Sequence, residues 1–162
     1  MALSSKVIIT AGATGIGLEI AKAFLANNSL VAICDIDNQA LEKVQSEFPN
    51  IYIKTCDVAS AKETENFIKS AADYLGGIDT LVNNAGIGGP TEKIENILPE
   101  DWSRCIDVCL GSQFNCIRVS VPYLKQSKNA SIINLSSAAG RMGFAMRSPY
   151  SAAKWGVIGL TK

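Results

Sequence analysis

The chain has no histidine among its 162 residues. That absence excludes Ser-His-Asp and Cys-His nucleophile systems, and it removes the commonest ligand of catalytic zinc. It also lacks a charge bias: 15 basic residues balance 15 acidic ones, with no block of like charge. Neither a nucleic-acid surface nor an electrostatic membrane anchor is expected from such a balance. No apolar run approaches the roughly 18 residues that a membrane-crossing helix needs. The first residues, Met1 to Lys6, show no charged-then-apolar leader. A cytoplasmic protein is the expectation.

Disulfide and metal frameworks are equally poorly supported. The five cysteines, Cys34, Cys56, Cys105, Cys109 and Cys116, are odd in number and form no C-x-x-C pair. Cys105, Cys109 and Cys116 follow helical spacing and read as part of a buried apolar face. No metal site is expected.

What the sequence does contain is strand–helix alternation over its whole length, with no repeat or linker. Strands are expected at Val7–Thr10, Leu30–Cys34, Ile51–Thr55, Thr80–Asn83 and Ser131–Leu135. Each is a nearly continuous apolar run, as a strand buried on both faces requires. Helices are expected at 15–27, 38–47, 61–74 and 99–126, with a last one opening at Pro149. Ser60-Ala61-Lys62-Glu63 has the form of a capping box, and Ser148-Pro149 that of a capped start. Such alternation predicts an α/β fold, a doubly wound parallel sheet in a single domain.

The first predicted strand runs into Thr10-Ala11-Gly12-Ala13-Thr14-Gly15-Ile16-Gly17 and then a helix. Small residues there let backbone approach a pyrophosphate, whose charge suits the free amides of the helix start. Asp35 closes the second strand, where a carboxylate accepts hydrogen bonds from ribose hydroxyls and repels a 2′-phosphate. With apolar Ile36 beside it, NAD rather than NADP is the expected cofactor. Further along, Tyr150 and Lys154 lie four apart and share a helix face. A free phenol ionises near pH 10, too high for a base at neutral pH, and a neighbouring ammonium favours its anion.

Taken together these segments resemble the short-chain dehydrogenase/reductase family. Thr10–Gly17 resembles its T-G-x-x-x-G-x-G turn, Asn83-Asn84-Ala85-Gly86 its N-N-A-G element, and Tyr150–Lys154 its Y-x-x-x-K helix. Ser137 stands in the context of the family's catalytic serine, and Asp57-Val58 resembles the pair that contacts adenine. The resemblance implies hydride transfer between NAD(H) and an alcohol or ketone. Tyr150 would be the acid–base group, Lys154 would also hold the nicotinamide ribose, and Ser137 would bind the substrate oxygen. It further implies cofactor contacts from Gly12, Thr14, Gly15, Ile16, Gly17, Asp35, Ile36, Asp57, Val58, Asn84, Ala85 and Gly86, and from Tyr150 and Lys154 themselves.

The resemblance also implies a homodimer or homotetramer, formed through the long central helix (Cys105, Cys109, Phe114, Val119) and the Tyr150 helix (Val157, Ile158, Leu160). Three departures stand out. Ala11 replaces the family's first glycine, a tolerable change if its φ is negative. Cys109 replaces an asparagine that anchors a water behind the lysine. Family members also continue beyond the point matching Lys162, so the chain reads as truncated within its active-site helix. A truncated, non-catalytic nucleotide-binding remnant or interaction module is the alternative reading.

Overall fold

A computed structural model describes residues 4–162. Its strands are β1 (Lys6–Thr10), β2 (Leu30–Asp35), β3 (Tyr52–Thr55), β4 (Thr80–Asn83) and β5 (Ser131–Asn134). Its helices are α1 (Gly15–Ala26), α2 (Asn38–Glu47), α3 (Ala61–Leu75), α4 (Pro99–Ile106), α5 (Ser112–Leu124) and α6 (Ser148–Thr161). All five strands are parallel, in the order β3-β2-β1-β4-β5. The order reverses at β1, so its C-terminal end and that of β4 open into the crevice where such sheets bind ligands. The fold is Rossmann-like, as the alternation predicts.

Two apolar layers sandwich the sheet. Val7, Ile9, Ile33, Leu41 and Val44 pack on one face, while Ile8, Cys34, Phe67, Ile68 and Leu81 pack on the other. Only the three central strands fit the expectation of burial on both faces. β3 is half-buried and β5 is largely exposed, with Ile132 and Ile133 at 37% and 44%. Both are edge strands, and among the described residues nothing pairs with the outer side of β5.

Several local expectations are corrected. The predicted helix over 99–126 is three pieces: α4, a π-helical turn at Asp107–Gly111, and α5, which ends at Leu124 beyond its internal Pro122. Only half of the capping box forms. Ser60 Oγ accepts from Glu63 N, but the Glu63 carboxylate reaches Asp57 N at 2.9 Å instead of the Ser60 amide. Ser148 is the first helical residue of α6 and not its cap; Arg147 holds that position without a side-chain cap bond.

Ala11 is the largest local surprise. Its φ is +49°, in the left-handed region, not the negative value that would make the methyl group harmless. That conformation costs a non-glycine residue about 1–2 kcal/mol. Glycine would relieve it but lose roughly 0.4–1 kcal/mol through a freer unfolded chain. Ala11→Gly is therefore expected to stabilise by about 0.5–1 kcal/mol, raising Tm by about 2 °C in a thermal melt.

Candidate active site

Strand β1 delivers the chain into the turn at residues 11–14, and the turn is held from behind. Asn84 Nδ2 donates to the carbonyls of Thr10 (3.0 Å) and Ala11 (2.9 Å). Thr10 Oγ1 in turn accepts from the amides of Asn84 and Ala85, both at 3.0 Å. The N-N-A-G element thus locks the turn to the end of β4, and Thr10 is a partner that motif reading alone does not assign.

Glycine is required where α1 crosses this turn. A Cβ on Gly17 would lie 2.1 Å from Ala11 O and 2.6 Å from Asn84 Nδ2. Thr14, the N-cap of α1, makes no side-chain bond to the first turn. The first amides of α1 therefore have no partner in the Thr14 side chain.

In front of the turn lies a cleft of about 250 Å³. Of the residues expected to contact a cofactor, Thr14, Asp35, Ile36, Asp57, Val58, Ala85 and Gly86 line it. Gly12, Gly17 and Asn84 sit behind it as scaffold, while Gly15 and Ile16 border a separate shallow hollow along α1. Asp35 Oδ2 accepts from Ala13 N and Oδ1 from Asp37 N, both at 3.2 Å. This fixes the carboxylate at the rim, and each oxygen retains acceptor capacity for a hydroxyl.

Asp57 is gripped from two sides, by Ala59 N at 3.0 Å and by Arg104 Nη1 at 2.8 Å. Burial pushes its carboxyl up, but the hydrogen bonds from Arg104 and the Ala59 amide, with the charge of Arg104, outweigh this and hold it below the ordinary aspartate range. Arg104 also lines the cleft, although no sequence motif marks it. The partners are 47 residues apart, so only the fold reveals the pair.

Next to the Gly86 wall of the cleft stands Lys154, its Nζ 3.4 Å from where a Cβ on Gly86 would lie. Lys154 is buried, and its Nζ donates to Leu135 O at 2.8 Å and lies 5.7 Å from the Tyr150 ring centre. Ser136 Oγ donates to Lys154 O at 2.8 Å, binding the end of β5 to α6. Ser137 follows, and its Oγ accepts from Ala139 N at 3.2 Å. Its hydroxyl proton is thus left to donate elsewhere. The capping role usual for a serine after a strand and an outward-directed donor coexist in one residue.

Cys109 sits in the π-helical turn, and its Sγ lies 3.3 Å from Ile87 N and 3.2 Å from Ile87 O. The thiol acts as both donor and acceptor to the loop that follows Gly86. All five cysteines are buried and free, and burial raises Cys105 and Cys116 to about 12. Burial also corrects the face proposed for self-association. Cys105, Cys109, Val119 and Val157 are interior, whereas Phe114 and Leu160 stay exposed, as does Trp155. No described helix is long and apolar enough to cross a membrane.

Comparison with known proteins agrees with this geometry. A family model, short chain dehydrogenase, matches residues 5–162. The chain belongs to the short-chain dehydrogenase family. It is 36% identical to the 2-dehydro-3-deoxy-L-rhamnonate dehydrogenase (NAD(+)) of Sphingomonas sp. (strain SKA58), over 96% of this chain and 62% of that protein. It is 36% identical to the D-beta-hydroxybutyrate dehydrogenase of Cupriavidus necator, over 99% of this chain and 64% of that protein. Among solved structures, an actinorhodin polyketide ketoreductase variant with NADPH superposes with a TM-score of 0.91 at 29% identity, over 98% of this chain and 62% of that one. The chain therefore spans about three fifths of the length of these relatives.

Proposed function

We propose that this chain carries the cofactor site and the proton-transfer groups of an oxidoreductase interconverting a secondary alcohol and a ketone with NAD(H). The observation that carries the reading is a cleft lined by Asp35, Asp57 and Gly86, with the Lys154 ammonium next to its Gly86 wall, 3.4 Å from where a Cβ on Gly86 would stand, and 5.7 Å from the Tyr150 ring centre. The residues fit a dinucleotide. Gly17 lets α1 pack directly onto the turn, and Asp35 offers ribose acceptors while opposing a 2′-phosphate. Asp57, held in place by Arg104, presents a carboxylate edge to the adenine. Bound NAD(H) supplies or accepts the hydride.

The chain's own groups handle the proton. Tyr150 takes it from the substrate hydroxyl in oxidation and returns it to the carbonyl oxygen in reduction. The Lys154 ammonium beside the ring stabilises the negative charge left on the phenol oxygen. With one N–H on Leu135 O, it keeps two donors for the nicotinamide ribose. The Ser137 hydroxyl, its acceptor side occupied by Ala139 N, donates to the substrate oxygen as charge develops there. The exposed Phe114, Trp155 and Leu160 suit a twofold contact between copies, and a homodimer or homotetramer belongs to the same proposal.

Cofactor choice tests the reading. Titrated by fluorescence, the protein is expected to bind NADH more tightly than NADPH. Asp35→Ala should relax that preference by about tenfold or more, since it removes a charge repulsion and two hydroxyl partners. Equal or tighter NADPH binding by the unmutated protein would overturn it.

A further inference from the structure

Arg147, the residue before α6, is not used by the mechanism above. Its guanidinium reaches across to the loop after β4, with Nη1 donating to Thr91 Oγ1 at 2.9 Å and Nη2 to Gly88 O at 2.7 Å. Its Cζ lies 5.5 Å from the Tyr150 ring centre. The backbone is built to hold it there. Met146, just before it, has φ +59°, and Glu92 N donates to Met146 O at 3.0 Å. On the opposite side a Cβ on Gly88 would come within 2.7 Å of Arg147 Nη2.

The guanidinium is held in place, yet its charge is not neutralised. Both groups it bonds are neutral, and the ion pairs among the described residues, Lys22–Glu19, Lys69–Glu65 and Arg104–Asp57, do not include it. Glu92, the acid on the same loop, turns its carboxylate to Lys93 N at 2.7 Å and Asn96 Nδ2 at 3.3 Å. Of the five N–H donors of an arginine two are engaged, and the buried Nε has no partner among the described residues. Lys154 stands near the same ring. Tyr150 thus has two cations near its ring, at 5.5 Å and 5.7 Å from the centre, and no ion pair among the described residues includes either. With Nε closed off, one N–H on each Nη remains, a planar pair that suits an oxyanion, and of the oxyanions such a fork takes a carboxylate is the one an alcohol or ketone substrate can carry on its own carbon chain.

We propose that Arg147 binds the carboxylate of the substrate, so that the site takes a hydroxy acid and its keto acid in preference to a neutral alcohol and ketone. The inference rests on the Tyr150-centred reading of the site and names its substrate class. The carboxylate engages the spare N–H donors of Arg147 while the reacting oxygen faces Tyr150. Arg147 both closes the wall between Gly88 and Thr91 and selects for charge.

The test is an NMR titration of isotope-labelled protein with acetoacetate, acetoacetamide and acetate, run with and without NADH. Acetoacetate is expected to bind at least about tenfold more tightly than its isosteric amide and than acetate, and to shift the Arg147 Nε–H resonance. Arg147→Met should bring acid and amide to equal affinity, and Arg147→Lys should retain part of the difference. Acid and amide titrating alike in the unmutated protein, discrimination surviving in Arg147→Met, or acetate matching acetoacetate would each overturn the proposal. Failure of the unmutated protein to bind NADH would instead count against the cofactor reading, because the acid–amide comparison is read without NADH as well.

Discussion

Residues 1–162 by themselves, mixed with NAD(H) and a panel of secondary alcohols and ketones, are expected to bind the dinucleotide and turn nothing over. The functional groups are all present: Tyr150, Lys154 and Ser137 stand on α6 and just past β5, tied together through Leu135 O and Ser136 Oγ. Their surroundings are the difficulty. β5 is an exposed edge, and the segment before α6 leaves Met142, Phe144 and Met146 at 66%, 53% and 46% exposure. Holding reactants in near-attack geometry supplies roughly 7–11 kcal/mol of barrier reduction, and a one-sided crevice open to water does not impose it. Progress curves at 340 nm check this. Steady turnover that disappears in Tyr150→Phe would show that the crevice described here suffices.

Gly17→Ala is the second large effect. The added methyl carbon would sit 2.1 Å from Ala11 O, and neither neighbour yields cheaply. Ala11 O is backbone in an already left-handed residue, and Asn84 Nδ2 is committed to two carbonyls. Overpacking commonly costs about 1–3 kcal/mol, and contact with locked backbone belongs at or above that upper end. A loss of about 3 kcal/mol in urea unfolding, with loss of NADH binding, is expected. A variant that melts and binds like the unmutated protein would mean that α1 does not cross the turn this closely.

The contrast between positions 11 and 17 shows what the sequence makes legible. Motif and spacing located the turn, the strands and the Tyr150–Lys154 face, because apolar periodicity and helix geometry are local properties. They did not reveal which glycine position tolerates a methyl group. That depends on φ at Ala11 and on the distance from Gly17 to a carbonyl, both set by how α1 packs on the turn after β1 and on Asn84. The π-helical turn around Cys109 was likewise hidden, since the sequence from Pro99 onward reads as one uninterrupted helix. Asn84 was recognised within its motif, but its hydrogen bonds run to residues 73 and 74 positions away. Arg104 and Arg147 were missed for the same reason: each acquires its role from a partner brought close by the fold.

The central claim is that one crevice binds the adenosine half of the dinucleotide at Asp35 and the nicotinamide half at Lys154. Parallel titrations with NADH and AMP separate the two ends. Lys154→Met is expected to weaken NADH by about tenfold, near 1.4 kcal/mol, and to leave AMP affinity within about twofold. Asp35→Ala should weaken both ligands. The AMP arm also shows whether the Lys154 variant, which loses its bond to Leu135 O, is still folded. Lys154→Met leaving NADH affinity unchanged, or weakening AMP as much as NADH, would contradict the account.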